Sequence, residues 1–132
     1  MKALEIALYS KLSGDTSLMT FITGVYNVAA PASARYPFLV FQKVADVTGY
    51  TFTSRVADEY LYQVRVIGSG LNKEPLNDAL ARVDALLTLQ TLTVTGKRVD
   101  RVVREGDMPD VAQADEGEIL LQVGATYRFY VI

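Results

Sequence analysis

The chain has 132 residues, of which 50% are hydrophobic and 21% are charged, and its formal net charge is -2. One folded domain spanning residues 1–132 is therefore expected, with a substantial core and without global disorder. The chain contains no cysteine and no histidine, which excludes disulfides, thiolate and imidazole metal sites, and imidazole catalysis within it. Its small negative charge gives no reason to expect DNA or an anionic membrane as the main partner.

The apolar runs are too short for a membrane span. Each is broken by Lys, Gln, Asp or Arg well before the roughly 20 residues that a span needs. At the N-terminus, Glu5 and Lys11 interrupt the apolar run that a signal peptide requires. We therefore expect a protein that is made in a cytoplasm and is used there, or is carried on a particle assembled there.

The first third of the chain predicts two helical segments and then a connection. Three leucines repeat every four residues and form one apolar stripe of a helix, namely Leu4, Leu8 and Leu12. Asp15 can cap a second, shorter turn that contains Leu18 and Ile22. The stretch from Val25 to Tyr36 predicts an extended connection without regular structure.

The middle of the chain predicts two strands followed by a helix. The segment PFLVFQKVADV, which begins at Pro37, is rich in β-branched and aromatic residues and is apolar on both faces at its start. A second strand follows from the alternation of Tyr60, Tyr62, Val64 and Val66. A spacing of three to four residues then predicts a helix from Asn72 to Leu87, with Asn72 as its N-cap and Pro75 in its first turn. Because the joint IGSGLN is short, the helix is expected to fold back over the Tyr/Val face.

The last third predicts further strands. TLTVTGKRVDRVV predicts a turn at Thr95-Gly96, residues 105–117 predict an acidic loop, and the final segment predicts a long strand. One face of that last strand is apolar: Leu121, Val123, Ala125, Tyr127, Phe129 and Val131. Strands follow one another without helical crossovers, so the order of elements predicts an α+β fold with a mainly antiparallel sheet and helices packed on one face.

The candidates for chemistry in the sequence are weak. The acidic segment contains Asp107, Asp110, Asp115 and Glu116, but their spacing does not match a calcium loop, so a solvated loop is favoured. The glycines of GSGLN belong to no phosphate-binding motif, which favours a plain strand-to-helix turn. We therefore predict no catalytic residue, no metal ligand and no cofactor site.

Two aromatic residues stand out for a different reason. Tyr50 and Phe52 lie in a polar connection, TGYTFTSRVA, where a monomer would expose them. Contact with a partner and local packing are equally compatible with this position. The candidate protein-interface residues are Tyr50, Phe52 and Arg55 of this connection and Asp107 and Asp110 of the acidic segment.

The order of segments resembles that of the tail-completion, or tail-terminator, proteins of long-tailed bacteriophages. The resemblance rests on ALEIALYSKLSGD, TSLMTFITG, VYNVAAP, YPFLVFQKV and the strand YLYQVRVIGSG leading into LNDALARVDALL. That family has two recurring landmarks. One is a strand with Tyr-Pro, four apolar residues and Gln in succession, and the other is a strand followed by a helix whose first turn is rich in Asn and Asp. The longer C-terminal part around GDMPDVAQADEG departs from the family pattern.

The resemblance implies a structural virion protein without enzymatic activity. Such proteins form a ring, usually of six copies, at the head-proximal end of the tail tube, after assembly in the host cytoplasm. The ring stops tube polymerisation and docks to the connector of the filled head.

The implied partners are further copies of the chain, the tail tube protein and the head-tail connector. DNA would pass through the lumen without specific binding, which a mildly acidic lumen favours, and neither a cofactor nor a membrane is implied. Two alternatives stay open: a head-completion or connector adaptor, and a small-molecule-binding or enzyme domain that uses the sheet face.

Overall fold

A computed structural model describes residues 2–50, 55–70, 72–90, 92–115 and 118–131. These residues form an α+β fold, as the sequence predicts. The elements in chain order are α1 (Lys2–Ser13), a short 3-10 helix (Leu18–Thr20), β1 (Val25–Asn27), β2 (Phe38–Tyr50), β3 (Arg55–Ser69), α2 (Glu74–Leu87), β4 (Thr93–Val94), β5 (Lys97–Asp115) and β6 (Glu118–Val131). None of the helices in these residues is long and apolar enough to cross a membrane.

The strands form one six-stranded sheet in the order β1-β2-β3-β6-β5-β4. Two long hairpins, β2–β3 and β5–β6, pair antiparallel and meet where β3 lies beside β6. β1 runs parallel to β2, with Val25 opposite Leu39. This short strand lies in the stretch predicted to lack regular structure. That prediction was wrong because three residues at the sheet edge carry too little pattern to stand out.

One face of the sheet and both α-helices enclose the core. The predicted inward residues of β3 and β6 are all buried, and so is the leucine stripe of α1. α2 packs on β3, β5 and β6, which confirms that it folds back over the Tyr/Val face. Tyr62 lies edge-to-face against Phe129 with ring centroids 5.5 Å apart. Its hydroxyl is buried and has no hydrogen-bond partner among the described residues.

A glycine lies where α2 approaches β3. A Cβ atom at Gly68 would lie 2.7 Å from a methyl carbon of Leu76 in the first turn of α2. Asn72 accepts a hydrogen bond from the backbone N–H of Glu74 at 3.1 Å. The residue directly before the helix is Lys73, so Asn72 caps from one position further out than predicted. Pro75 lies in the first turn, as expected.

The acidic segment is a strand and not the solvated loop that the sequence predicts. β5 continues to Asp115 and pairs with β6 throughout, with Asp115 opposite Glu118. The composition of this segment is typical of a loop because an edge strand exposes polar side chains on both faces. Register shifts after Val99, Arg104 and Met108 mark bulges. The last of these shifts spans Pro109, which has no N–H to donate to a ladder.

Candidate interaction surfaces

The first group of predicted interface residues lies at the end of the β2–β3 hairpin. Tyr50 is the last residue of β2 and is paired with Arg55, the first residue of β3. β6 reaches along β3 only as far as Asp58, which lies opposite Val131. Among the described strands, the end of this hairpin therefore pairs only with itself and extends past the body of the sheet. Phe52 lies outside the described residues.

The second group lies along a cleft between α2 and β5. The cleft has a volume of about 450 Å³ and is lined by Asn77, Leu80 and Ala81 of α2, by Arg104, Asp107, Met108 and Asp110 of β5, and by Val123 and Gly124 of β6. Asp110 forms an ion pair with Lys73, with Nζ and Oδ2 2.8 Å apart. Asp107 accepts a hydrogen bond from Arg104. The two aspartates are thus close in space, whereas the hairpin end is a separate surface.

Asp84 connects α2 to the sheet next to this cleft, partly through Arg104, which lines it. Its Oδ1 accepts hydrogen bonds from the Thr88 hydroxyl at 2.8 Å, from Arg104 Nη1 at 3.2 Å and from the Tyr127 hydroxyl at 3.1 Å. Burial, reinforced by the Asp84 carboxylate, raises the pKa of Tyr127 far above its usual value. The phenol therefore stays protonated and donates. Each acidic group of the cleft has a basic or hydroxyl partner, so the arrangement ties elements together and leaves no free carboxylate poised for acid–base chemistry.

A second ion pair ties the start of the chain to α2. Asp15 is held by Arg82 through two contacts of 2.8 Å and 2.9 Å. It also accepts the backbone N–H of Leu18 at 2.9 Å, which confirms the predicted cap. The hydrogen bond from Arg82 is the main cause that lowers the pKa of Asp15 to about 2. The Arg82 contact could not be predicted from the sequence, because the partners lie 67 positions apart.

The sheet face opposite the core is polar and internally neutralised. Arg128 lies between Glu59 and Glu105, at 2.7 Å and 2.5 Å respectively. The Arg101 guanidinium lies over the Tyr130 ring, 4.4 Å from its centroid. Positive and negative charges alternate across the strands here, so this face presents no single-sign field to a nucleic acid.

Exposed apolar side chains follow the β1 edge and α1. Ile6 and Tyr9 of α1 are 57% and 49% exposed, and Val28 and Val44 beside the edge are 60% and 52% exposed. Val28 has φ +70°, and the N–H of Ala29 reaches the carbonyl of Asn27 at 2.9 Å. A β-branched residue at the centre of such a turn is strained. Strain of this kind occurs at binding surfaces more often than elsewhere.

No group of three or more acidic side chains in the described ranges is arranged to hold a metal ion. The carboxylates that do come close to one another, in the cleft between α2 and β5, already contact arginine or lysine.

Comparison with known families decides what kind of protein this is. The family model described as tail completion protein gp17 matches residues 6–115. The chain belongs to the tail completion protein gp17 family. The resemblance seen in the sequence is therefore confirmed, and the chain is a structural protein of the bacteriophage tail and virion. No curated protein matches it.

Solved structures share the fold of this gp17-family chain. A chain of the virion of a native gene transfer agent particle superposes with a TM-score of 0.74 at 17% identity, covering 98% of this chain and 95% of that chain. The gp17 protein of bacteriophage SPP1 superposes with a TM-score of 0.61 at 20% identity, covering 97% and 88% respectively. Both superpositions include the C-terminal hairpin, whose sequence around GDMPDVAQADEG departs from the family pattern.

The five predicted interface residues all lie within the part of the chain that matches the gp17 family model. The structure brings Asp107 and Asp110 together along one cleft and places Tyr50 and Arg55 opposite each other at the hairpin end. Their role in contacts stays a prediction. The sequence missed the apolar surface formed by α1 and the β1 edge, for which the exposed Ile6 and Tyr9 between the buried leucines of α1 were the available signal.

Proposed function

We propose that this gp17-family protein forms a closed ring of six copies at the head-proximal end of the phage tail tube. The ring ends tube polymerisation and presents the surface to which the head-tail connector docks. The observation that carries the proposal is the family match over residues 6–115, with a shared fold in two proteins from phage-like sources.

The shape of the sheet suits such a ring. The sheet has two different edges, β1–β2 on one side and β5–β4 on the other. A contact between two different surfaces of one chain generates a ring when its rotation closes. The proposed interface residues are Tyr50 and Arg55 at the hairpin end, Phe52 in the sequence between them, and Asp107 and Asp110 of the cleft. Contacts repeated around a ring stabilise it even where each contact is small, and the isolated chain can then be monomeric at low concentration.

The proposed role involves no catalysis. The chain has neither histidine nor cysteine, and the grouped carboxylates of the cleft are engaged with Lys73 and Arg104. A broad screen for hydrolytic and redox turnover is expected to find none, and turnover abolished by one carboxylate substitution would overturn this part of the proposal.

The lumen of the proposed ring lets DNA pass without holding it. The formal net charge of -2 per copy disfavours condensation onto the phosphate backbone. The partners are therefore further copies of the chain, the tail tube protein and the connector, with no cofactor and no membrane.

Electron microscopy and a gene deletion test the proposal together. The purified protein at high concentration is expected to form rings with six-fold symmetry, and particles made without it are expected to contain headless tails of irregular, extended length. Normal-length tails that lack only the head would instead favour a head-completion adaptor. A strictly monomeric protein with a bound small molecule, together with normal particles in its absence, would contradict the proposal.

A further inference from the structure

We propose that an acidic edge on one copy, residues 105–115 of β5, occupies the groove between α1 and β4 of a neighbouring copy. The inference rests on the proposed ring and assigns the two surfaces that would meet between adjacent copies.

The groove is apolar with a basic rim. It has a volume of about 650 Å³, enough for several side chains of an extended segment, and Ala3, Ala7 and Leu92 provide its apolar lining. Lys2 and Lys11 also line it. Neither lysine forms an ion pair with any other part of the chain that the structure describes. The groove thus presents positive charge beside an apolar surface, and of the two lysines Lys11 also acts electrostatically on the Asp15 carboxylate that Arg82 holds.

The acidic edge is free along the side of β5 that faces away from β6. β4 pairs with β5 only at Lys97 and Arg98, and no other described strand covers β5 beyond them. Residues 109–114 are exposed, including Val111, which is 45% exposed. Asp107 and Asp110 have side chains that are 72% and 50% exposed. Their ion pairs within the chain are at the surface and contribute little, so they can be exchanged for contacts with a partner.

The two surfaces are complementary in charge and in polarity. Aspartates of the edge match lysines of the rim. Val111, which the pairing with Gln122 places on the other face of β5 from Asp107, adds an exposed apolar side chain to the same edge. Pro109 and the bulges on either side of Asp107 interrupt the backbone pattern of β5. The contact is therefore made by side chains and not by a continued β-ladder. Because the edge and the groove are different surfaces of one chain, the contact repeats head to tail around a ring.

Introduced cysteines test the contact directly, since the chain has none of its own. The variant with Ser10→Cys in the groove and Ala112→Cys on the edge is expected to form a disulfide-linked ladder of oligomers on oxidation. Ser10→Cys combined with Ser33→Cys, an exposed position outside both surfaces, is the matched control and is expected to give no ladder above background. A ladder in the control that equals the ladder in the test variant would overturn the assignment.

Charge reversal provides a second test that does not depend on oxidation. Lys2→Glu with Lys11→Glu is expected to abolish ring formation, and so is Asp107→Lys with Asp110→Lys. Equal mixtures of the two variants are expected to recover assembly, because the mixed contacts are again complementary. Salt near 1 M, where the Debye length is about 3 Å, is expected to weaken the rings of the unmodified protein.

The outcomes separate this inference from the proposed function. Rings that form in the unmodified protein, in both reversed variants and without the specific ladder would overturn the contact and leave the ring intact. If the unmodified protein forms no ring and completes no tails, the proposed function fails and the contact fails with it. Circular dichroism tests whether each variant is folded. If a reversed variant unfolds, the cysteine pair decides the assignment.

Discussion

At the scale of single residues, two buried tyrosines have opposite hydrogen-bonding states. The Tyr62 hydroxyl is buried and has no partner among the described residues, whereas the Tyr127 hydroxyl donates to Asp84 at 3.1 Å. Removing an unsatisfied buried group is close to neutral or stabilising, and removing one member of a hydrogen bond is costly. We therefore expect Tyr62→Phe to leave the free energy of unfolding unchanged or to raise it.

Tyr127→Phe serves as the matched comparison and is expected to lower the free energy of unfolding by about 1–2 kcal/mol. Urea unfolding followed by circular dichroism measures both variants. Equal destabilisation by the two substitutions would show that Tyr62 does have a partner in solution.

The Asp15–Arg82 pair gives the protein a specific sensitivity to acid. Because the pKa of Asp15 is lowered from its ordinary 3.8 to about 2 in the folded chain, its contribution to stability is fully present above the ordinary value. It is lost as the pH falls from about 4 through about 2. Asp15→Asn keeps a cap for Leu18 but removes the ion pair. The variant is expected to be less stable at neutral pH, with the difference from the unmodified protein shrinking between pH 4 and 2.

Melting temperatures of both proteins across this pH range measure the effect. Comparing them cancels the titration of the other carboxylates. A difference that stays constant with pH would contradict the assignment of the ion pair.

At the scale of elements, the packing of α2 on β3 holds the fold together. Leu80 on α2 is 9% exposed, whereas Leu89, just beyond the helix, is 73% exposed. Leu80→Ala is expected to lower the free energy of unfolding by about 2–5 kcal/mol through the cavity it leaves. Leu89→Ala removes the same atoms from the surface and is expected to change it by less than about 0.5 kcal/mol. An unchanged urea midpoint for Leu80→Ala would count against the packing of this face.

The elements that could be predicted are those whose burial is one-sided. The leucine stripe of α1, the Tyr/Val face of β3 and the apolar face of β6 each repeat with the period of their element, so the core could be read from the sequence. The strand at residues 105–115 could not be predicted, because its side chains are exposed on both faces and only its pairing with β6 makes it a strand. The contacts of Asp84 could not be predicted either, since Arg104 and Tyr127 lie 20 and 43 positions away in the sequence.

At the scale of the whole molecule, the hairpin end is expected to matter for assembly and not for folding. The double variant Tyr50→Ala with Phe52→Ala removes two large apolar groups, one from the last residue of β2, where β2 and β3 pair only with each other, and one from the sequence that follows it. Large aromatic anchors carry much of the energy of an interface. We expect the variant to keep its circular dichroism spectrum and to lose ring formation and tail completion.

Tyr36→Ala provides the control, because Tyr36 is also an exposed aromatic residue but stacks on Phe38 within its own chain. It is expected to assemble normally. A double variant that still forms rings and completes tails would show that this hairpin end is not the anchor, and attention would move to Asp107 and Asp110.

The proposed function requires this fold to cap the tail tube beneath the head. A cryo-electron microscopy reconstruction of the head-tail junction in assembled particles tests it most directly. We expect a ring of six copies of this α+β fold between the last layer of tube protein and the connector, with an open lumen. Density for this fold on the head side of the connector, at the tail tip, or nowhere in the particle would contradict it.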